Sequence, residues 1–130
     1  MGQEIDLAVI SLPRDLVVES LKECIDGGFK AIIVVIQGFA DADAKGKELQ
    51  QEMIHAARHN GVRILGPNTL GVVNNFNSFT TSFMALTREK APVGLICQSG
   101  VFFVGAGVFS GQIGMGRWEM RSGPCFTSQP

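Results

Sequence analysis

The sequence predicts an α/β fold organised on a parallel sheet, and three observations carry that reading. Short apolar runs with β-branched members occur at Leu7–Leu12, Ala31–Ile36 and Val62–Leu65. Two stretches of helical period separate them, and the links between elements are short. Strand, helix, strand, helix, strand in that order is what parallel strands joined by right-handed crossovers require.

The first run, Leu7-Ala8-Val9-Ile10-Ser11-Leu12, ends at Pro13 and reads as a strand buried on both faces. Pro13 suits the first helical position. Beyond it Val17, Leu21, Cys24 and Ile25 gather on one side, with Asp15, Glu19, Lys22, Glu23 and Asp26 on the other, until Gly27-Gly28 stops the helix. Ala31 to Ile36 is the second buried strand, and it stops at Gln37-Gly38. A longer helix from about Asp43 to Asn60 follows, with Leu49, Met53, Ala56 and Ala57 on one face and Gly61 closing it before the third strand.

The third strand breaks into Gly66-Pro67-Asn68-Thr69-Leu70-Gly71. Proline fixes its own φ and disfavours the helical region for Gly66, so the chain leaves the sheet abruptly. Such a loop is expected to expose amide N–H groups and a fixed Asn side chain. By itself the hexapeptide also fits an ordinary tight turn.

After Asn74 the composition turns rich in Asn, Ser, Thr and Phe up to Pro92, which reads as a connector with Phe76, Phe79 and Phe83 packed on a neighbouring surface. Val93 to Cys97 is a fourth strand, and Gln98-Ser99-Gly100 turns it into an apolar helix from Val101 to about Ser110. This gives three segments: residues 1–75, a connector over 76–91, and the start of a second α/β unit over 92–130. The tail from Gly111 to Pro130 has no clear period and is expected to add no strand, so the second unit reads as truncated.

Composition narrows the function. With 45% apolar residues in 130, the chain can fill one compact core. Its 11 basic and 12 acidic residues give a net charge of -1 and are spread along the chain, a poor match to nucleic acid. No apolar run approaches the roughly 20 residues of a membrane helix, and the amino end lacks the order of a signal peptide, so the expectation is a cytoplasmic protein with no membrane contact. Cys24, Cys97 and Cys125 are too few and too scattered for a disulfide framework or a paired-cysteine zinc site, and the first two are expected to be buried.

Three strand ends should share one sheet edge: Leu12-Pro13, Gln37-Gly38 and Gly66 to Thr69. Loops at the carboxyl edge of a parallel sheet form a crevice suited to a nucleotide-like ligand. None of these residues is a nucleophile or general base, so the crevice binds without visible chemistry. Ser99 either caps its helix or donates its hydroxyl to a phosphoryl group at the helix start, where unpaired N–H groups attract anions. A serine hydrolase is excluded, because Gly-x-Ser-x-Gly is absent and no His or Asp follows Ser99. His55 and His59 lie one helical turn apart beside Glu48 and Glu52, which reads as a solvated face rather than a metal site.

Leu12-Pro13, Gln37-Gly38-Phe39, Leu65 to Gly71 and Gly94 to Gly100, in this order and spacing, resemble the NDP-forming (ADP-forming) acyl-CoA synthetases, relatives of the succinyl-CoA synthetase α subunit. The resemblance covers about Asp6 to Gly107. It implies a parallel Rossmann-like CoA-binding domain, of which residues 1–75 are the second half, followed by the start of a flavodoxin-like ligase domain. It further implies interconversion of acyl-CoA, ADP and phosphate with acid, CoA and ATP through a phosphohistidine. By position, Leu12, Pro13, Val35, Ile36, Gln37 and Gly38 match the CoA-contacting strand ends, and Pro67, Asn68 and Thr69 match the loop near the CoA thiol and acyl group. Ser99 and Gly100 match the helix start that receives the phosphoryl group.

The complete enzymes would also use ATP or ADP with Mg, an ATP-grasp domain or subunit, an acyl substrate and an oligomeric assembly. The family's first glycine-rich unit has no counterpart here, and neither histidine fits the phosphorylated position. Thr69 stands where the family often has Cys. Gln37 replaces a Glu of the succinate enzymes and Val104 a Tyr, which leans toward the acyl-CoA branch. By this reading the chain alone is inactive. Two other readings remain open: a CoA-sensing module of an acyltransferase, and a stand-alone flavodoxin-like nucleotide binder.

Overall fold

The computed structural model describes residues 5–83, 93–102, 104–106, 118–122 and 125–126. Two compact units divide the chain: Met1–Thr69 with Pro124–Pro130, and Leu70–Gly123.

In the first unit the order is β1 (Leu7–Ile10), α1 (Arg14–Asp26), β2 (Ala31–Val34), α2 (Ala44–His59) and β3 (Arg63–Leu65), with β8 (Cys125–Phe126) added from the end of the chain. The sheet runs β1-β2-β3-β8. β1, β2 and β3 are parallel, with Ile10 opposite Val34 and Ile32 opposite Ile64, as the strand and helix alternation predicts. Side chains alternate across a strand. Ile10, Ile32, Val34 and Ile64 therefore share one face, and there they form a core with Val17, Val18 and Leu21 of α1 and Met53 and Ala57 of α2. Both helices thus cover the same side of the sheet.

That arrangement corrects the expectation that the first strand is buried on both faces. Val9, on the face away from the helices, is 46% exposed. Among the described residues β1 has β2 as its one neighbour in the sheet, and no other described strand covers its outer flank. On the same side Ile33 and Leu65 are buried, so the deficit is confined to the edge. β2 is also shorter than the apolar run that predicts it, because pairing stops at Val34 and the chain bends toward Gly38.

Pro13 is the cap of α1 rather than its first residue, and its carbonyl accepts from the Leu16 N–H at 2.9 Å. α2 is capped by Asp43, whose Oδ1 accepts from the Gly46 N–H at 2.6 Å. At the other end, the Asn60 N–H and side-chain amide both donate to the Ala56 carbonyl. α1 and α2 are linked by Arg14 Nη1 to Asp43 Oδ2 at 2.7 Å and by Lys22 Nζ to Glu52 Oε1 at 2.6 Å. Lys45 adds a bridge to Asp15 at 3.2 Å. Exposed pairs such as the last two contribute roughly 0–1 kcal/mol each. The hydrogen bond from Arg14 and then that from Gly46 hold the Asp43 carboxyl below its ordinary range.

Gly46 sits in the first turn of α2 against the backbone of Phe39, a residue with 0% exposure. A β-carbon there would meet the Phe39 carbonyl oxygen, with the Phe39 carbonyl carbon and Cα at 2.6 and 2.7 Å. α2 therefore starts close against the loop that leaves β2.

The second unit contains β4 (Gly71–Asn74), β5 (Phe79–Thr80), β6 (Val93–Cys97) and β7 (Trp118–Ser122) in the order β5-β4-β7-β6. β4 pairs antiparallel with β5 and β7, while β6 and β7 are parallel. Three expectations change here. The tail does form strands: β7 runs between β4 and β6, and β8 joins β3. Trp-Glu-Met-Arg-Ser has no apolar run, and its strand state comes from ladders on both sides instead of from its own pattern. The connector is likewise partly ordered, because Asn74 Oδ1 accepts the Phe76 and Asn77 N–H groups and turns β4 back onto β5. Finally, Phe79 and Phe83 are 42% and 79% exposed rather than packed away, and Phe76 alone of the three is half-buried. Helix occupies 100–102 and 104–106; the expected continuation to Ser110 lies outside the described residues.

Two outcomes test this packing. Gly46→Ala gains about 1 kcal/mol of helix propensity but inserts a β-carbon against fixed backbone, an overpacking cost of roughly 1–3 kcal/mol. The urea midpoint should fall with the slope unchanged, and a raised midpoint would refute the close approach. Asp43 has a folded pKa below its ordinary 3.8, so its contribution is present above that pH and is lost as pH falls through the depressed value. Asp43→Asn keeps a cap-competent side chain. The stability gap between wild type and variant should therefore be constant near neutrality and close below about pH 3.8; a gap that widens on acidification contradicts the pairing.

Candidate functional site

The carboxyl edge of β1, β2 and β3 carries the candidate crevice. It brings together Leu12 and Pro13 after β1, Val35, Ile36, Gln37 and Gly38 after β2, and Pro67, Asn68 and Thr69 after β3, because the three strands are parallel and in register. Backbone hydrogen bonds continue past the strands. The Val35 N–H donates to the Ile10 carbonyl at 3.1 Å, and the Asn68 N–H donates to the Ile36 carbonyl at 2.8 Å.

The second of these bonds revises the loop expectation. Pro67 has no N–H and that of Asn68 is consumed internally, so neither presents the open amide the sequence suggested. Among the described residues, the backbone donors without a partner at this edge include those of Leu12, Gln37 and Gly38. Leu12 is 39% exposed, Gln37 is exposed and Gly38 is half-buried. Pro67 and Thr69 are buried, whereas Asn68 stands exposed at φ 57°. Asparagine tolerates that left-handed region better than most residues. Its side-chain amide lies 3.4 Å from Asp41 Oδ2.

Gly66 is what allows β3 to end this close to β2. Its φ is 103°, and a β-carbon would strike the Val34 carbonyl oxygen. No side chain fits there, so the Gly-Pro pair is a packing requirement as well as a turn signal.

Sequence reasoning missed Arg14, Asp41 and Asp43. Arg14 Nη1 donates to the Gly38 carbonyl at 2.9 Å as well as to Asp43, joining the turn after β1 to the loop after β2. The Asp43 hydrogen bond raises the pKa of the guanidinium further above its ordinary value. Asp41 Oδ1 accepts the Phe39 N–H at 2.8 Å. These partners are 24 to 29 positions apart for Arg14, so no local motif marks them. The Asp41 contact spans two positions and fits an Asx turn, a signal that Ala-Asp-Ala-Asp after a glycine carries.

Ser99 and Gly100 belong to the second unit. The Ser99 hydroxyl accepts the Phe102 N–H at 3.3 Å, which is the capping role, and Cys97 Sγ donates to the Ser99 carbonyl at 3.2 Å. Cys24 and Cys97 are half-buried rather than buried, and the partial burial of Cys24, with the neighbouring Glu23 charge, raises its thiol pKa. His55 and His59 are exposed on α2 with ring centroids 6.4 Å apart. Among the described residues no group of three metal-ligating side chains forms, and no helix is long and apolar enough to cross a membrane. An apolar depression lined by Met53, Ile54, Ala57, Val62, Ile64 and Pro67 lies along α2 and β3, touching the crevice only at Gly66 and Pro67.

Comparison with known proteins agrees with this geometry. Residues 2–75 match the family model described as a CoA binding domain. Over 100 residues the chain is 39% identical to the ADP-forming acetate–CoA ligase II of Archaeoglobus fulgidus, covering 76% of this chain and 15% of that one. Over 105 residues it is 34% identical to the α subunit of ADP-forming acetate–CoA ligase II of Pyrococcus furiosus, covering 81% and 22%. The structure of acetyl-coenzyme A synthetase 1 from Ca. Korarchaeum cryptofilum, in complex with phosphate and ADP, superposes with a TM-score of 0.85 at 27% identity, covering 94% of this chain and 26% of that one. The chain spans only 15% to 26% of the length of these three proteins. With the parallel sheet, the converging strand ends and a family match over its first 75 residues all in agreement, the chain belongs to the CoA-binding domain family.

Proposed function

We propose that this chain supplies the CoA-binding edge of an ADP-forming acyl-CoA synthetase, a ligase that interconverts acyl-CoA, ADP and phosphate with acid, CoA and ATP. The observation that carries the reading is the shared carboxyl edge of β1, β2 and β3, with unpartnered Leu12, Gln37 and Gly38 amides, inside the segment that matches the CoA binding family. CoA brings phosphates, amides and an adenine, all acceptor-rich, and a crevice of backbone donors and small apolar side chains fits such a ligand.

In this reading Leu12, Pro13, Val35, Ile36, Gln37 and Gly38 bind CoA, while Pro67, Asn68 and Thr69 position its thiol against the acyl group. Ser99 and Gly100 receive the phosphoryl group at the start of their helix, with the Ser99 hydroxyl exchanging its cap bond for the phosphoryl oxygens. The phosphohistidine lies outside these 130 residues: His55 and His59 are on the exposed side of α2, away from the converging strand ends. An ATP-grasp domain or subunit binds ADP or ATP with Mg and completes an oligomeric enzyme, and the second unit from residue 92 to the end of β7 belongs to its flavodoxin-like ligase domain. The chain by itself binds without turnover.

Melting with and without ligand tests the reading. A ligand at 100 times its Kd stabilises by about 2.7 kcal/mol, which for a chain of this size is several degrees of Tm. CoA should produce that rise, and Asn68→Ala should leave most of it because Asn68 serves the thiol end. If excess CoA leaves Tm unchanged while another nucleotide raises it, the CoA assignment fails.

A further inference from the structure

The loop after β2 is held at several of its polar backbone atoms. The Ile36 carbonyl accepts the Asn68 N–H, and the Phe39 carbonyl accepts the Ala42 N–H at 3.0 Å. The peptide between Gly38 and Phe39 is gripped at both ends: its carbonyl by Arg14 Nη1 at 2.9 Å, its N–H by Asp41 Oδ1 at 2.8 Å. Phe39 is fully buried and closes the loop from below. Among the described residues the adjacent N–H groups of Gln37 and Gly38 are two of the loop's donors that take no partner.

A peptide plane fixed at its oxygen and nitrogen cannot rotate, and the plane before it is limited by the same φ and ψ angles. Gly38 stands at φ 101°, a region in which glycine has little intrinsic preference to stay. The bond that keeps it there from the β1 side is the Arg14 bond, and Asp43 in turn fixes the guanidinium. A charged donor on a backbone carbonyl is stronger than a neutral one.

We propose that Arg14 is a positioning residue for the CoA crevice. It does not touch the ligand; through the Gly38 carbonyl it orients the open Gln37 and Gly38 amides toward a hydrogen-bond-accepting group of CoA. The inference rests on the CoA reading given above. Arg14→Met keeps the length and packing of the stem while removing the donor.

The experiment is calorimetric titration of the full 130-residue chain with CoA, paired with amide hydrogen exchange of the free protein. Arg14→Met should weaken CoA about tenfold, equivalent to roughly 1.4 kcal/mol, and should accelerate exchange of the Phe39 N–H selectively. Val18→Ala, a core truncation in α1 that removes no polar contact to the loop, serves as the structural control. It should lower Tm yet leave CoA affinity within about twofold and Phe39 exchange relative to neighbouring amides unchanged. If Arg14→Met binds CoA as wild type does, or if Val18→Ala weakens binding as much, Arg14 has no positioning role while the CoA reading stands. If the unaltered chain does not bind CoA, both fall.

Discussion

Register among three parallel strands is the constraint from which the first unit follows. With Leu7 to Ile10 against Ala31 to Val34, and Ala31 to Ile33 against Arg63 to Leu65, all three carboxyl ends must come out at one edge. Each strand then needs a crossover to return to the opposite edge, and α1 and α2 supply it on a single face. The apolar pattern of the helices is the counterpart of that choice. Val17, Val18 and Leu21 meet Ile10, Ile32 and Val34, while the partly buried Leu49 and Ala56 extend the contact from α2. Polar groups that leave the ladder at the shared edge must find other partners, and the few that do not find them are the ones available to a ligand.

Two glycines let backbone meet backbone at that edge. Gly46 allows the start of α2 to rest on Phe39, and Gly66 allows the end of β3 to rest on Val34. The loop after β2 is therefore bounded by a helix terminus and by a neighbouring strand, and its one large side chain points into the core. Precision at the crevice comes from packing around the loop more than from the loop's own residues. Arg14 extends the same logic with charge, reaching across from the first crossover to a carbonyl of the second.

How much of this could be read in the sequence depended on the range of the interactions. The strands and helices of the first unit were legible because apolar runs and helical periods are local, and the converging strand ends follow from their order. Val9 was misread because a β-branched run does not say which of its faces a helix will cover. Arg14 and Asp43 look like ordinary surface charges until folding brings them to 2.7 Å. β7 was not read, since its strand state is conferred by β4 and β6 and its five residues, with only Trp118 and Met120 apolar, make no apolar run. Recognition of the ligand class came from several short motifs in order, whereas the open amides were assigned to the wrong strand end because a Gly-Pro-Asn loop gives no hint that Ile36 will claim the Asn68 N–H.

The pairing of β8 with β3 bears on how the first unit forms. Phe126 lies opposite Ile64 across about 60 intervening positions, whereas β1, β2 and β3 are joined through their own adjacent helices. Closing a loop that long costs chain entropy before a two-residue ladder can return any of it. The ladder between β8 and β3 is thus the costliest in chain entropy and among the shortest in this sheet. The crevice, built wholly from β1, β2 and β3, does not draw on it.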